Sequence, residues 1–195
     1  MRIVAGLYRG RALVAPSGPS TRPTADRARQ AVFNVLEHAA WSEGLAERRV
    51  IDLFAGSGAL GLEALSRGAA FCLFVETDAA ARGAIRDNVE ALGRGELFGR
   101  TRIHRRDATD LGAKPSGDGE AFDLAFLDPP YGQGLGERAL AQLANGGWLA
   151  EGALAVLERG AGEADPVTPS FERLDARTYG AARVVFLRYS SFSAG

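Results

Sequence analysis

An acid, two prolines and a tyrosine follow one of the apolar runs of this sequence. The run "FDLAFL" covers residues 122–127, and Asp128, Pro129, Pro130 and Tyr131 come directly after it. One interpretation is a strand that ends in a turn, because proline cannot continue a β-ladder and aspartate readily starts turns. The other is a catalytic site for an amine on a flat heterocyclic ring, since Asp128 and the Pro129 carbonyl can accept its two N–H groups.

The chemistry that such a site would promote is the attack of a base amine on a methyl group. An exocyclic amine is a poor nucleophile, because its lone pair is delocalised into the ring. Two acceptors favour the positive charge that builds up on this nitrogen during the attack. The prolines hold the Pro129 carbonyl rigidly, and Tyr131 offers a surface on which a flipped base can stack.

A glycine-rich segment, "VIDLFAGSGALGLEAL", precedes this site in the chain. Gly56, Gly58 and Gly61 form a G-x-G-x-x-G pattern that follows a predicted strand and opens a predicted helix. Glycines permit a tight turn and a close approach of backbone amides to a ligand, and the helix N-terminus adds further donors. Glu76 comes about twenty residues later, where a carboxylate can accept from ribose hydroxyls. The pattern therefore predicts a nucleoside-bearing cofactor.

Asp52 discriminates between two cofactors of this kind. A dinucleotide places a pyrophosphate on the helix N-terminus, whereas S-adenosylmethionine has no phosphate and carries an ammonium and a sulfonium. Asp52 stands in the strand just before the glycines, where a carboxylate repels a pyrophosphate but can hold a cation. Its alternative role is to accept hydrogen bonds from loop amides. Asp107 and the Ala108 amide, after the third predicted strand, are candidates for reading the edge of a base.

The elements that position these residues follow from the hydrophobic pattern. From about residue 50 onward, short apolar runs alternate with helical patterns, which predicts βαβ units and a mostly parallel sheet covered on both faces. The last segment predicts two antiparallel strands joined by a tight turn near Gly180. Helices are predicted at 58–68 and 78–93, and parallel strands at 49–54, 70–76, 101–105, 122–128 and 153–158. The chemistry-bearing residues then lie at the carboxyl edge of the sheet.

The first 47 residues differ in character from the rest. "RIVAG" and "RALVA" predict a small hairpin, and "ADRARQAVFNVLEHAAW" predicts a helix with an apolar face. Residues 1–30 contain a single acid, Asp26, and six arginines, namely Arg2, Arg9, Arg11, Arg22, Arg27 and Arg29. This is either a basic patch that meets a polyanion or an ordinary solvated face.

Composition limits the class of protein. The chain has 195 residues, 46% of them hydrophobic, and a formal net charge of −1, which indicates a domain with a proper core rather than a general nucleic-acid coat. The single Cys72 excludes an internal disulfide and a multi-cysteine zinc site. With His38 and His104 isolated and no apolar stretch at the N-terminus, we expect a cytoplasmic protein with no metal and no membrane contact.

Four segments in their order and spacing carry a resemblance to a known family. "RPTADRARQAVFN", "IDLFAGSGALGLEALSRGA", "FVETD" and "FDLAFLDPPYG" resemble the bacterial methyltransferases that modify guanine N2 in small-subunit (16S) ribosomal RNA. The resemblance covers essentially the whole chain. It implies a Rossmann-like class I methyltransferase fold with an RNA-engaging extension at residues 1–47 and the S-adenosylmethionine-dependent domain at 48–195. It also implies a monomer that acts on ribosomal RNA within an assembling subunit.

The resemblance further implies the roles of individual residues. S-adenosylmethionine would contact Asp52, Phe54, Gly56, Ser57, Gly58, Gly61, Glu76, Thr77, Asp107, Ala108 and Asp128. The target base would contact Asp128, Pro129, Pro130 and Tyr131, while Arg22, Thr24 and Asn34 would lie beside the site and close over the cofactor or the RNA. Arg9 and Arg11, which belong to the basic N-terminal residues, are further candidates for contacts with RNA. Two positions depart from the family pattern: Gln30 stands where glutamate is expected, and Tyr131 where phenylalanine is commoner. Neither change removes a group that the mechanism needs.

Three other functions are compatible with parts of the sequence. A DNA amine methyltransferase shares the acid-Pro-Pro-aromatic site, but the chain has no room for a separate sequence-reading domain. An NAD-dependent oxidoreductase fits the glycine pattern, but Asp52 and the site at Asp128 argue against it. A non-catalytic RNA-binding assembly factor could keep the fold, but the intact "DPPY" argues against a decayed site.

Overall fold

The computed structural model describes residues 1–16, 23–93 and 95–191, and of residues 23–25 the helical backbone only. The helices are α1 (Pro23–His38), α2 (Ala59–Ser66), α3 (Ala79–Gly93) and α4 (Leu135–Asn145). The strands are β1 (Arg49–Leu53), β2 (Phe71–Val75), β3 (Thr101–His104), β4 (Phe122–Leu127), β5 (Leu149–Gly160), β6 (Phe171–Tyr179) and β7 (Ala182–Tyr189).

In the described part of the chain, the seven strands form one sheet with the order β3-β2-β1-β4-β5-β7-β6. The strands from β3 to β5 are parallel, and β7 runs antiparallel to both β5 and β6. The turn between β6 and β7 contains Gly180 with φ +61°, as predicted. The Rossmann-like fold with an antiparallel C-terminal edge is thus confirmed. The strand order reverses between β1 and β4, where a crevice opens at the carboxyl ends.

The helices cover the two faces of this sheet. Buried residues of α1, α2 and α3 pack with the side chains of Val50, Phe74 and Phe126 on one face. Residues of α4 pack with Ile51 and Leu127 on the other face. Burial on both sides explains the nearly continuous apolar runs of β1, β2 and β4. None of the described helices is long and apolar enough to cross a membrane.

The N-terminal residues share the core of the sheet. Ile3 and Phe33 are fully buried, and the Phe33 ring lies 5.4 Å from that of Phe126 on β4. The predicted hairpin is present as a short one: an antiparallel bridge joins Arg2 to Ala12, and backbone N–H groups of Ile3 and Leu13 donate to the carbonyls of Arg11 at 2.9 Å and Met1 at 3.0 Å. Hydrogen bonds to α2 and α3 also attach these residues to the main body: Leu7 N–H donates to the Ser66 carbonyl at 2.7 Å, and Val14 N–H donates to Asn88 Oδ1 at 2.7 Å.

The buried carboxylate of Glu63 on α2 is the main anchor of these residues. It accepts the backbone N–H groups of Val4 at 2.8 Å and of Ala5 at 3.0 Å. It also pairs with Arg67 at 2.8 Å and with Arg29 at 3.7 Å. These partners compensate for the cost of burying the charge of Glu63.

Candidate active site

The glycine loop turns sharply where β1 ends. Phe54, Gly56 and Gly58 have φ values of +57°, +55° and +78°, and α2 begins directly after Gly58. The left-handed region costs a glycine little, but it is uncommon for a bulky residue such as Phe54. A side chain at position 56 would meet nothing within 4 Å, so this part of the loop is open to a ligand.

Gly61, the third glycine of the pattern, lies where α2 packs on β2. A Cβ atom at this position would lie 2.5 Å from Cys72 Sγ and 2.5 Å from Phe74 Cε1. The third glycine is therefore required because α2 packs closely on β2. A Cβ atom at Gly56, by contrast, would point into open space.

Asp52 lies buried beneath the loop, where its Oδ2 accepts the backbone N–H of Gly61 at 3.0 Å. The alternative role, an acceptor for a loop amide, is therefore present. Burial raises the pKa of Asp52 well above its ordinary value, the Gly61 hydrogen bond opposes this, and the charges of Asp128 and Glu76 add to the increase. A cation bound nearby would stabilise the ionised form.

Glu76 follows β2 and joins the glycine loop to the start of α3. Its Oε2 accepts the N–H of Gly56 at 2.8 Å, and its Oε1 accepts the N–H of Asp78 at 2.8 Å. Asp78 in turn caps α3, since its Oδ1 accepts the N–H of Ala81 at 2.8 Å. Thr77, between the two acids, is exposed. The carboxylate of Glu76 thus holds the loop in place at the edge where the sequence predicts a ribose.

Asp107 follows β3 and closes a local turn. Its Oδ1 accepts both the N–H and the hydroxyl of Thr109, at 2.8 and 2.7 Å. The hydrogen bond from the Thr109 hydroxyl, which has the larger effect, and the one from its N–H lower the pKa of Asp107. Ala108 beside it is buried. The parallel order of β3, β2 and β1 brings this turn to the same edge of the sheet as the glycine loop.

The four residues after β4 form a loop that packs against the end of β5. Pro129 is buried, while the Tyr131 ring is 44% exposed. The hydroxyl of Tyr131 donates to Glu158 Oε1 at 2.5 Å, and the N–H of Gly132 donates to Glu163 Oε1 at 3.2 Å. The stacking surface predicted for Tyr131 is therefore held in place by acids of β5 and of the turn after it.

Asp128 directly follows β4 and lies at the crevice formed where β1, β4 and β5 end. The residue as a whole is exposed, but the surrounding protein atoms desolvate its carboxyl group. The resulting desolvation, followed by the negative charge of Glu158, raises the pKa of Asp128 to about 7. A carboxyl group with such a pKa can take up and release a proton near neutral pH.

The carboxylates at this edge share one face of the sheet. Asp52 pairs with Phe74 of β2 and with Phe126 of β4, and Phe126 pairs with Val156 of β5. Because side chains alternate along a strand, the residue two places after each partner lies on the same face. These residues are Glu76, Asp128 and Glu158. Asp52 lies on the same face two residues further back, in register with Phe74 and Phe126. We call these four acids the acidic row.

Sequence reasoning missed Glu158, although it closes the run "ALAVLE" as Asp128 closes "FDLAFLD". It also missed Asn88, a polar residue on the apolar side of α3. Asn88 Nδ2 donates to the carbonyls of Ser57 at 3.0 Å and Val14 at 2.9 Å, and its Oδ1 accepts the N–H of Val14 at 2.7 Å. Asn88 thus joins the glycine loop to the N-terminal segment.

The residues predicted to contact RNA lie in different environments. Arg9, Arg11 and Asn34 are exposed, and within the described ranges no acidic side chain pairs with either arginine. Arg22 lies outside the described residues, as does the side chain of Thr24. Arg29 is not part of a basic surface: it is buried, donates to Asp26 at 2.9 Å and contacts Glu63.

The described residues contain no group of three or more His, Cys, Asp or Glu side chains placed to hold a metal ion. The acidic row is spread over four strands instead. It lies beside an open glycine loop, and a ligand that carries positive charge would stabilise the ionised forms of these acids.

Comparisons with known proteins identify the relatives of this chain. Residues 1–188 match the family described as conserved hypothetical protein 95. The chain is 36% identical to ribosomal RNA small subunit methyltransferase D of Escherichia coli over 170 residues, 87% of this chain and 80% of that protein. Its counterpart in Haemophilus influenzae is 34% identical over 158 residues, 81% of this chain and 78% of that protein. The solved structure of E. coli yhhF superposes with a TM-score of 0.82 at 33% identity, covering 98% and 99% of the two chains.

Proposed function

Since this chain belongs to the methyltransferase family that includes ribosomal RNA small subunit methyltransferase D, we propose that it methylates the N2 amine of a guanine in small-subunit ribosomal RNA, with S-adenosylmethionine as the donor. One observation carries the proposal. Leu53 of β1 pairs with Leu127 of β4, so the glycine loop and the loop that starts at Asp128 leave adjacent strands at the same level. A methyl donor in the first loop and a base in the second would therefore be neighbours.

The acidic row supports S-adenosylmethionine over a dinucleotide. The buried carboxylate of Asp52 and the carboxylate of Glu76 flank the glycine loop, where a pyrophosphate would be repelled. An ammonium and a sulfonium would be attracted. Glu76 would accept from the ribose hydroxyls, and Asp107 with the Ala108 amide would meet the adenine. When bound, the cofactor supplies an electrophilic methyl group.

The residues after β4 would prepare the amine that attacks this methyl group. Asp128 and the Pro129 carbonyl would accept the two N–H groups of guanine N2, and the exposed ring of Tyr131 would stack on the base. Methylation leaves the nitrogen with an additional positive charge and an acidic proton. The pKa of Asp128, about 7, allows its ionised carboxylate to take that proton near neutral pH.

The N-terminal residues would hold the RNA, within an assembling small subunit in the cytoplasm. Arg9 and Arg11 are exposed beside an N-terminal segment that Asn88 ties to the glycine loop. Phosphate contacts from this segment would orient the RNA and present one base to the crevice. The proposal needs no metal ion and a single copy of the chain.

Two measurements test the proposal. Calorimetry should show micromolar-range binding of S-adenosylmethionine and its demethylated product, and no measurable binding of NAD. Ribosomal RNA from a strain that lacks this gene should gain N2-methylguanosine when it is incubated with the protein and the donor. If nucleoside mass spectrometry shows N6-methyladenosine, the assignment of guanine as the substrate is refuted. If the protein binds NAD more tightly than S-adenosylmethionine, the assignment as a methyltransferase is refuted.

A further inference from the structure

Asp128 and Glu158 are neighbours across two strands. Leu127 of β4 pairs with Leu157 of β5 in parallel register, and each acid directly follows its leucine. Adjacent strands lie about 4.8 Å apart, so the two carboxylates can reach two neighbouring donors on one flat ring. The proposed function uses Asp128 alone and leaves Glu158 without a role.

We propose that Glu158 reads the N1–H group of the target guanine while Asp128 accepts from its N2 amine, so that the two acids select guanine. The inference rests on the proposed function and adds a specificity-determining residue to it. It assigns to Glu158 the choice of base and not the activation of the amine.

The hydrogen-bonding edges of the bases explain this choice. In guanine the ring nitrogen beside the amine carries a proton, so the edge offers donors at both N1 and N2. In adenine and cytosine the ring nitrogen beside the amine is an acceptor. A carboxylate opposite that nitrogen gains a charge-assisted hydrogen bond from guanine and meets a lone pair on the other two bases. An enzyme that acts on a flipped base reads it through this edge.

Tyr131 holds Glu158 in the required place. The tyrosine hydroxyl donates to Glu158 Oε1 at 2.5 Å, and a carboxylate has a second oxygen that can accept N1–H. The ring that stacks on the base and the acid that reads its edge are thus joined by one hydrogen bond.

The charge of the pair also favours a substrate with two donors. Glu158 is one of the causes that raise the pKa of Asp128, because two neighbouring negative charges repel each other. N–H groups donated to both acids stabilise both charges. An acceptor opposite Glu158 would leave this repulsion uncompensated.

A single change in the base tests the inference. 2,6-Diaminopurine carries the same amine at position 2 as guanine, but its N1 is an acceptor. RNA would be assembled by ligation with guanine or 2,6-diaminopurine at the nucleotide that mass mapping identifies as methylated. We expect the wild-type protein to prefer guanine by about 10–100-fold in kcat/KM, the range for replacing a charge-assisted hydrogen bond by an unpaired carboxylate. In Glu158→Gln the amide can donate to N1 or accept from N1–H, so the preference should fall towards unity.

Two further variants complete the test. Tyr131→Phe should lower the preference for guanine part of the way, because Glu158 keeps its charge but loses its fixed position. Glu137→Gln removes a carboxylate from α4 that pairs with Arg159, and it should leave the preference unchanged. Thermal unfolding and cofactor calorimetry of each variant would establish that fold and donor binding are intact.

The outcomes separate this inference from the proposed function. If the wild-type protein forms no N2-methylguanosine, both are refuted. If it forms N2-methylguanosine but methylates both bases equally, or if Glu158→Gln keeps the wild-type preference, only the role of Glu158 is refuted. Loss of activity on both bases in folded Glu158→Gln would also overturn the role, because glutamine retains an acceptor for guanine N1–H.

Discussion

The hydroxyl of Tyr131 donates to Oε1 of Glu158 at 2.5 Å, which ties the loop after β4 to the end of β5. Asp128 begins that loop, so its carboxylate cannot be considered apart from its neighbour. Desolvation and, after it, repulsion from Glu158 raise the pKa of Asp128 to about 7. The predictions for catalysis start from this arrangement.

Asp128→Ala should lower turnover by about 10²–10³-fold, the range observed when one hydrogen-bond partner of a transition state is removed. The fold and the affinity for S-adenosylmethionine should remain nearly intact. Asp128→Asn keeps an acceptor and the shape but loses the charge, so it should retain more activity than Asp128→Ala. Single-turnover methylation of ribosomal RNA measures both effects. A fully active Asp128→Ala protein would remove this residue from the mechanism.

The activity should rise with pH through about 7. The raised pKa of Asp128 means that its carboxyl group is protonated, and unable to accept from the amine, in an increasing fraction of molecules below that pH. The dependence of kcat/KM for the cofactor on pH reports groups of the free enzyme. Glu158→Gln removes the neighbouring charge and should move the inflection to lower pH. An inflection that does not move in this variant would assign the titration to another group, such as Asp52.

Glu76→Ala should weaken the binding of S-adenosylmethionine by roughly 1–3 kcal/mol, the cost of leaving hydrogen-bonding groups unpaired. The change removes the expected ribose acceptor and also the partner of the Gly56 amide. Asp78→Ala is the control, because Asp78 caps α3 through Ala81 and has no expected contact with the cofactor. Calorimetry that gives the same affinity for Glu76→Ala and the wild type would exclude a contact with the ribose.

Arg9→Ala and Arg11→Ala should each weaken RNA binding and reduce the slope of log K against log salt by about one unit, the effect of one lost phosphate contact. Arg173→Ala is a matched control. Arg173 is also exposed, but it lies on the edge strand β6 and pairs with Asp165. A salt titration by fluorescence anisotropy measures the slopes. Unchanged slopes in both N-terminal variants would identify this segment as an ordinary solvated surface.

Glu63→Ala should lower the free energy of unfolding by about 3–5 kcal/mol, as expected when one partner of a buried ion pair is removed. The substitution leaves the side chains of Arg29 and Arg67 and the amides of Val4 and Ala5 without their carboxylate. Glu90→Ala, an exposed position on α3, should change stability by less than about 0.5 kcal/mol. Urea unfolding compares them, and a loss below about 1 kcal/mol in Glu63→Ala would contradict the anchoring role.

Much of the fold could be predicted because it depends on local patterns. The apolar runs of β1, β2 and β4 and the helix that Asp78 caps are readable over a few residues, and so is the turn at Gly180. The boundaries of β5 were less accurate. This strand begins at Leu149 and not at 153. The prediction missed its first residues because the stretch around Gly152, with φ +77°, is irregular and does not show the pattern of a strand.

The sequence by itself determined that acids such as Asp128 follow apolar runs. This pattern can be recognised without knowing which strand is the neighbour. Only the tertiary structure decided which ends are neighbours. The pairing of Leu127 with Leu157 sets Glu158 beside Asp128, the packing of α2 on Cys72 and Phe74 requires Gly61, and Glu63 removes Arg29 from the surface. These relationships join residues far apart in the chain. They follow from the order of the strands in the sheet and from the packing of the helices on it, which bring together segments that no short stretch of sequence joins.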